Sequence, residues 1–160
     1  MIERHEGQIV VVSSTAGKTC VPFSATYCAS KHALQGYFDT ARLELAEHNI
    51  HVQTVLPGPV KTNISLHFFT ENIDEKFKDP PDISGLQLMS TERCAELMVV
   101  SMANNLDEVW ISSEPGLLMV YLNQYFPNLY RWLTKMFLME ATKTILQHKE
   151  KSAAELTRES

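Results

Sequence analysis

Short apolar runs mark three predicted strands in the first 114 residues. Residues 8–13 contain the run IVVV, residues 51–56 read HVQTVL, and residues 109–111 read VWI. The first run is β-branched and lacks polar alternation, which is typical of a strand buried on both faces of a parallel sheet. The second strand is expected to stop at Pro57-Gly58-Pro59, because proline and glycine interrupt regular structure.

Residues 25–48 change to the period of a helix. An apolar stripe recurs there at four-residue intervals: Ala29, Ala33, Tyr37, Ala41 and Leu45. This stripe predicts an amphipathic helix, and Arg42, Glu44 and Glu47 fall off it. A second helix is predicted from Ser90 or Thr91, as its N-cap, to about residue 103.

The resulting order is strand, helix, strand, helix, strand, which is the pattern of parallel, right-handed crossovers in an α/β sheet. Residues 62–89 break the periodicity and predict a long loop with one short helix. Its large apolar residues are Leu66, Phe68, Phe69 and Phe77. They indicate either a wide apolar ligand site or simple packing beneath the loop.

The character of the chain changes after Pro115. Residues 117–139 are rich in Leu, Met, Tyr, Phe and Trp, and Pro127 is expected to divide them into two short helices. We predict a first domain over residues 1–114, an apolar and aromatic helical extension over 115–148, and a polar, frayed tail over 149–160.

Composition excludes some classes of function. The formal net charge of -5 argues against a surface for nucleic acid, which needs an excess of Lys and Arg. The cysteines Cys20, Cys28 and Cys94 have neither metal-site spacing nor the pattern of a disulfide framework. We therefore predict no metal site and three reduced thiols.

Ser14, Tyr27 and Lys31 form the set with the clearest chemical meaning. Ser14 follows the first predicted strand, at the sheet edge where ligands of open α/β sheets bind, and Tyr27 and Lys31 lie one helical turn apart. An ammonium about 5 Å from a phenol, at an effective dielectric of about 20, favours the phenolate by about 3 kcal/mol. Tyr27 is therefore a candidate proton donor and acceptor, and Ser14 could hold a carbonyl oxygen. Taken singly, Lys31 is a solvated helix residue and Tyr27 a half-buried aromatic, but chance is the weaker explanation of the set.

Three motifs extend this set into a family pattern. They are Ser13-Ser14-x-Ala16-Gly17, Tyr27-Cys28-Ala29-Ser30-Lys31 and Pro57-Gly58-Pro59-Val60-x-Thr62. In their order and spacing, with thirteen positions from Ser14 to Tyr27, they resemble the short-chain dehydrogenase/reductase family. The resemblance implies an α/β fold: the C-terminal half of a Rossmann-type, doubly wound parallel sheet, followed by a helical extension.

The resemblance also implies an activity and roles for single residues. The expected reaction interconverts an alcohol and a carbonyl with NAD(P)(H). Ser14 would orient the substrate carbonyl, Tyr27 would transfer the proton, and Lys31 would assist Tyr27 and hydrogen-bond the nicotinamide ribose. The residues that the resemblance assigns to the cofactor are Tyr27, Lys31, Pro57, Gly58, Val60 and Thr62.

Longer phrases point to one branch of this family. Residues 27–36 (YCASKHALQG), 101–112 (SMANNLDEVWIS) and 117–127 (LLMVYLNQYFP) are similar to members that are usually microsomal. Those members reduce carbonyls on steroids, retinoids or xenobiotics with NADP(H). The resemblance thus implies an apolar substrate, NADP in preference to NAD, and association with the endoplasmic reticulum membrane, with a cytoplasmic location as the alternative. It also implies a homodimer that forms through the helix at residues 25–48.

One family feature is missing from these 160 residues. They contain neither GxGxxG nor GxxxGxG, the glycine-rich turn that cradles the cofactor pyrophosphate. We therefore expect this polypeptide alone to bind nicotinamide cofactors weakly or not at all. One interpretation is an incomplete copy of an ordinary oxidoreductase. The other is a truncated, catalytically silent product that acts as a partner-binding or membrane-associated subunit.

The aromatic stretch over residues 117–139 admits a second class of function. It could lie in a membrane interface, with four aromatic residues at headgroup depth: Tyr121, Tyr125, Tyr130 and Trp132. Arg131 and Lys135 would then extend to the lipid headgroups. The alternatives are a lid over the substrate cleft and an extension that packs on the core.

Overall fold

The computed structural model describes residues 1–22, 24–62 and 87–136 of the chain. The predicted short helix within residues 62–89 and the four apolar residues of that loop lie outside the described residues. The same is true of the polar stretch predicted over residues 149–160.

Three parallel strands form one sheet in the order β1-β2-β3. Their bounds are β1 (Gly7–Val12), β2 (Ile50–Pro57) and β3 (Glu108–Ile111), so all three predicted strands are confirmed. The central strand β2 is buried on both faces: residues 52–56 have no exposed surface. A strand covered by helices on both sides requires such a run, which explains why its sequence is predominantly apolar.

The helices follow the strands as the sequence predicts. They are α1 (Ala25–Leu45), extended by a 3₁₀ turn at Ala46–His48, then α2 (Thr91–Ala103), α3 (Gly116–Tyr125) and α4, which covers residues 127–136. Ser90 caps α2, because its hydroxyl accepts a hydrogen bond from the Arg93 amide at 3.2 Å. The division of the aromatic stretch at Pro127 is confirmed.

Helices α1 and α2 cover opposite faces of the sheet. Arg42 of α1 donates a hydrogen bond to the Thr54 hydroxyl, whereas Val55 packs with Cys94 of α2 and Ile111. Since Thr54 and Val55 are neighbours in β2, their side chains point to opposite faces. The apolar cluster under α2 also includes Val10, Val60, Met89, Leu97, Met98 and Val109.

This arrangement corrects one expectation about the crossovers. Both connections step in the same direction across the sheet, from β1 to β2 and from β2 to β3. With their helices on opposite faces, the two crossovers have opposite hands, so the prediction that both are right-handed is wrong for one of them. The connection between β2 and α2 covers residues 58–90, and so long a segment can reach the other face, unlike the short crossovers on which the handedness rule rests.

Only the second half of the predicted apolar stripe is covered. Ala29, Ala33 and Tyr37 are exposed, and Ala41 and Leu45 are partly buried. Two polar residues off the stripe are covered as well: Gln35 is buried and Arg42 is partly buried. Helix α1 docks on the sheet through side-chain hydrogen bonds as well as through apolar contacts. The periodicity of hydrophobic residues carries no information about such hydrogen bonds, so it did not predict the packed face.

Arg42 joins α1 to two strands. Its Nε donates to the Val52 carbonyl at 2.7 Å, and its Nη2 donates to the Asp107 carbonyl at 3.0 Å. The Asp39 carboxylate, 2.8 Å from Nη1, balances the charge. Charge-assisted hydrogen bonds of this kind are about twice as strong as neutral ones, so Arg42 fixes the C-terminal half of α1 on β2.

The N-terminal half of α1 is fixed at Lys31. The Lys31 carbonyl accepts hydrogen bonds from the Ser13 hydroxyl at 3.0 Å and from the side-chain amide of Gln35 at 3.3 Å. The 3₁₀ turn Thr15–Gly17 lies against the same carbonyl: a Cβ on Gly17 would be 2.8 Å from the Lys31 oxygen and would collide with the Gln35 side chain. The absence of a side chain at Gly17 is therefore what allows β1 and α1 to approach so closely.

The chain divides into two compact units, Met1–Leu118 and Met119–Ser160. Among the described helices, none combines the length and the apolar character needed to cross a bilayer.

We predict that Arg42→Met lowers the free energy of unfolding by about 2–3 kcal/mol, because it removes several charge-assisted hydrogen bonds and leaves their acceptors unpaired. Urea denaturation followed by circular dichroism measures this change. The matched control is Arg93→Met, whose exposed ion pair with Glu96 (2.7 Å) is worth less than about 1 kcal/mol. Equal effects of the two substitutions would contradict the anchoring role of Arg42.

We predict that Gly17→Ala lowers the free energy of unfolding by about 1–3 kcal/mol, because the added methyl group overpacks the contact with Lys31. Gly36→Ala is the control, since nothing lies within 4 Å of a Cβ built there. That substitution should raise the stability by up to about 1 kcal/mol through helix propensity. The same urea experiment applies, and a neutral Gly17→Ala variant would refute the close contact.

Candidate active site

The carboxyl ends of the three strands meet at one edge of the sheet, where open α/β folds bind their ligands. Ser14 follows β1, Pro57 ends β2, and Ser112 follows β3. Hydrogen bonds tie these ends together: the Ser13 amide donates to the Val55 carbonyl at 2.8 Å, and the Gly58 amide donates to the Ile111 carbonyl at 2.7 Å. These hydrogen bonds therefore fix the relative positions of the strand ends and of the side chains that follow them.

Ser14 is held at this edge by two hydrogen bonds of its hydroxyl. It accepts from the Ala16 amide at 3.1 Å as the N-cap of the 3₁₀ turn, and it donates to the Pro57 carbonyl at 3.3 Å. The second bond is longer than an ordinary O–H···O hydrogen bond and is therefore weak. Its proton can therefore be turned to a substrate carbonyl at small cost, while the cap keeps the oxygen in position.

The structure brings Tyr27 and Lys31 together in the first two turns of α1. The Lys31 ammonium lies 5.6 Å from the centroid of the Tyr27 ring and donates one hydrogen bond, of 3.4 Å, to the Val12 carbonyl. An ammonium has three donors, so Lys31 retains donors for a ligand. Tyr27 is 46% exposed, which leaves its side chain accessible to a substrate.

The hydroxyls of Ser14 and Tyr27 are not hydrogen-bonded to each other among the described residues. The Ser14 hydroxyl faces the Pro57 carbonyl instead. The three candidate catalytic residues thus share one edge of the sheet, where a bound substrate oxygen would have to bridge Ser14 and Tyr27.

The candidate cofactor residues after β2 form a tightly packed turn. A Cβ on Gly58 would lie 2.7 Å from the Cβ of Ser112, so only glycine fits there. The backbone then continues beside Met89: the Met89 amide donates to the Pro59 carbonyl at 3.1 Å, and the Lys61 amide donates to the Met89 carbonyl at 2.9 Å. Val60 lies in this isolated parallel bridge, and Thr62, which is exposed, follows it.

Sequence reasoning missed three residues that build the site. Ser13 and Gln35 hold the Lys31 carbonyl, and Ser112 packs on the Gly58 turn. Ser112 could have been found, because it follows β3 as Ser14 follows β1. Gln35 gave no such signal, since a buried glutamine in a helix looks like a surface residue until its partners are known.

The cysteines take no part in this arrangement. Burial raises the pKa of the Cys94 thiol, which keeps it in the neutral, unreactive form. All three cysteines are free. In the described part of the chain, no cluster of three or more His, Cys, Asp or Glu residues could hold a metal ion.

The sequence was compared with those of known proteins and protein families. Residues 1–72 match the family described as short chain dehydrogenase. Dehydrogenase/reductase SDR family member 7 of Homo sapiens is 47% identical over 135 residues, which are 84% of this chain and 39% of that protein. SDR family member 7B of Bos taurus is 34% identical over 130 residues, which are 81% of this chain and 39% of that protein.

Solved structures agree on the fold. A short chain dehydrogenase from Burkholderia cenocepacia J2315, in complex with NADP, superimposes with a TM-score of 0.64 at 21% identity. The match covers 86% of this chain and 49% of that one. Acetoin dehydrogenase from Enterobacter cloacae gives a TM-score of 0.53 at 24% identity, over 74% of this chain and 46% of that one.

The predicted Rossmann-type fold, present in part, is therefore confirmed, and so is the resemblance to family member 7. The chain spans 39% of the length of the curated relatives named above. On the motifs and these sequence matches, the chain resembles the short-chain dehydrogenase/reductase family over residues 1–72 and family member 7 over 84% of its own length.

Proposed function

We propose that this protein is an NAD(P)(H)-dependent oxidoreductase that interconverts an alcohol and a carbonyl, with Tyr27 as the proton-transferring residue. The observation that carries the proposal is the Lys31 ammonium 5.6 Å from the centre of the Tyr27 ring, at the ligand-binding edge of the sheet. The cation beside the ring is placed to stabilise negative charge that develops on the phenolic oxygen during proton transfer. The Tyr27 hydroxyl is therefore the candidate proton carrier.

The proton steps follow from this arrangement. In oxidation, the substrate O–H bond breaks and its proton passes to the Tyr27 oxygen, while the Ser14 hydroxyl holds the oxygen that becomes a carbonyl. In reduction, the Tyr27 hydroxyl gives its proton to the carbonyl oxygen, and Lys31 stabilises the phenolate that remains. A nicotinamide held at this edge would supply the hydride to the carbonyl carbon in reduction and accept it from that carbon in oxidation.

The residues at the edge fit the nicotinamide end of such a cofactor. The unused donors of the Lys31 ammonium suit the hydroxyls of a ribose. The Gly58 turn packs against Ser112 without room for a side chain. A turn without a side chain suits a position beside the flat nicotinamide ring. Val60 and Thr62 continue from this turn and would hold the carboxamide.

We place the substrate among apolar carbonyl compounds of the steroid, retinoid or xenobiotic class, with NADP(H) in preference to NAD(H). Support comes from the similarity to family member 7 and from the NADP bound to the Burkholderia structure.

We also propose that α1 forms a homodimer contact. Tyr37 and Leu43 are 70% and 79% exposed on this helix. Ala29, Ala33 and Gly36 are exposed as well and would let a second helix approach closely.

A partner-binding role is the alternative function, and one observation favours it. In the described residues, β1 pairs with β2 alone, so its other edge has unpaired backbone groups. At the amino end of the sheet lies an open hollow of about 430 Å³, lined largely by apolar residues: Met1, Ile2, Glu3, Ile9, Leu45 and Ile50. A strand with adjoining apolar side chains would fit there, and a catalytically silent chain could use this edge to join a partner.

We predict that Tyr27→Phe lowers kcat by a factor of about 100 or more, because the phenolic proton carrier is lost. Tyr37→Phe on the same helix is the matched control and should leave kcat unchanged, since Tyr37 lies outside the candidate site. The assay is NADPH consumption with a panel of steroid, retinoid and xenobiotic carbonyls, using the protein at its full natural length. Activity of Tyr27→Phe at the level of the control would rule out the proposed function.

We predict that the 160-residue chain alone binds NADPH weakly or not at all, because it carries no glycine-rich pyrophosphate turn. Quenching of the intrinsic tryptophan fluorescence on titration with NADPH measures the affinity. Tight, saturable quenching that Lys31→Ala abolishes would contradict this prediction and would show that the nicotinamide end suffices for binding.

A further inference from the structure

Ser13 is a buried polar residue between the strand ends and α1. It follows β1 directly, and only 4% of its surface is exposed. Its amide donates to the Val55 carbonyl of β2 at 2.8 Å, and its hydroxyl donates to the Lys31 carbonyl of α1 at 3.0 Å. Because a buried hydroxyl without a hydrogen-bond partner costs free energy, this contact favours one position of α1 relative to β1 and β2.

The contact between Ser13 and Lys31 is reciprocal. The Lys31 ammonium donates to the Val12 carbonyl at 3.4 Å, and that carbonyl belongs to the same peptide unit as the Ser13 amide. The hydroxyl of Ser13 therefore holds the backbone of Lys31, while the side chain of Lys31 reaches the backbone next to Ser13. A displacement of α1 along β1 would strain both hydrogen bonds at once.

Ser13 also connects two parts of the candidate site whose hydroxyls are not hydrogen-bonded to each other. Ser14 is its neighbour in the chain, and two hydrogen bonds hold the Ser14 hydroxyl at the sheet edge. Tyr27 lies one helical turn before Lys31, with the ammonium 5.6 Å from the centre of its ring. The structural connection from Ser14 to Tyr27 thus runs through the hydroxyl of Ser13 and one turn of α1.

The other neighbours of the Lys31 carbonyl cannot replace this hydrogen bond. The side-chain amide of Gln35 donates to the carbonyl at 3.3 Å, but Gln35 belongs to the same helix and does not tie it to the sheet. Gly17 allows the close approach, yet its amide donates to the Ser14 carbonyl instead. Among the described contacts, the Ser13 hydroxyl is therefore the donor that joins this carbonyl to a strand end.

We propose that Ser13 is a positioning residue, whose hydroxyl sets the place of the Tyr27 phenol relative to the Ser14 oxygen. This inference rests on the proposed function, since it concerns proton transfer between Tyr27 and a substrate oxygen that Ser14 holds. Ser13 is buried and its hydroxyl is used by the Lys31 carbonyl, so it acts through α1 and not on the substrate. Without this hydrogen bond α1 shifts from the strand end, and the phenol no longer meets the substrate oxygen.

The experiment compares Ser13→Ala with Ser101→Ala in the protein at its full natural length. Ser101 is the matched control, because it is 2% exposed and its hydroxyl donates to the Met98 carbonyl at 2.7 Å, but on α2 at the opposite face of the sheet. With NADPH and the carbonyl panel used for Tyr27→Phe, Ser13→Ala should lower kcat about tenfold and change the KM of the carbonyl less than about twofold. Ser101→Ala should leave both constants unchanged.

The solvent deuterium isotope effect on kcat separates positioning from a loss of folded protein. It should rise in Ser13→Ala, because proton transfer becomes slower relative to the other steps. A smaller folded fraction would leave it unchanged, since the remaining molecules react normally. Ser13→Thr retains the hydroxyl and should keep kcat within about threefold of the unsubstituted protein. If Ser13→Ala does not fold, Ser13→Cys, which keeps a weaker donor, should show the same changes at a smaller magnitude.

Hydrogen exchange tests the contact without reference to activity. In Ser13→Ala, the amides of residues 25–35 should exchange about fivefold faster, which is the factor expected for one lost hydrogen bond. Ser101→Ala should leave the exchange of residues 25–35 unchanged.

The possible outcomes separate this inference from the proposed function. Unchanged exchange over residues 25–35 in Ser13→Ala would overturn the inference, whatever the activity. Faster exchange with an unchanged kcat and isotope effect, in a protein that Tyr27→Phe inactivates, would refute the positioning role and leave the proposed function in place. Equal losses of kcat in Ser13→Ala and Ser101→Ala would have the same meaning. Full activity of Tyr27→Phe would remove the proposed function, and this inference with it.

Discussion

The docking of α1 against the carboxyl end of β1 is the contact on which the candidate site depends. It converges on one backbone atom, the Lys31 carbonyl oxygen, which accepts from the Ser13 hydroxyl and the Gln35 amide. Gly17 lets the turn after β1 lie against it. Because Lys31 belongs to the same helix turn as the candidate proton carrier, a shift of this carbonyl would move Tyr27 and the ammonium together.

Hydrogen bonds elsewhere on α1 and between the strand ends help to keep α1 in contact with β1. Arg42 fixes the far half of α1 by donating to a carbonyl within β2 and to the carbonyl that precedes β3, so the helix cannot pivot about Lys31. The Ser14 hydroxyl reaches the Pro57 carbonyl and links the first two strand ends. Rigid support of this kind suits acid–base chemistry, in which small displacements of the reacting groups strongly change the rate.

One edge of the sheet takes no part in these contacts. Among the described residues β1 pairs with β2 alone, so its other side has backbone groups that suit another strand. A chain that spans 39% of its curated relatives thus combines a candidate proton-transfer edge with a strand edge suited to association.

The sequence by itself determined the elements, the family and the candidate residues. Runs such as IVVV, the helix period and the spacing of Ser14, Tyr27 and Lys31 are local, so a single segment carries each signal. Only the tertiary structure decided which face of α1 packs, that the two crossovers differ in hand, and that Tyr130 is buried, contrary to its expected position at headgroup depth, while Trp132 is not. These depend on partners distant in sequence, such as the carbonyls that Arg42 reaches, and hydrophobic periodicity cannot register hydrogen bonds between segments.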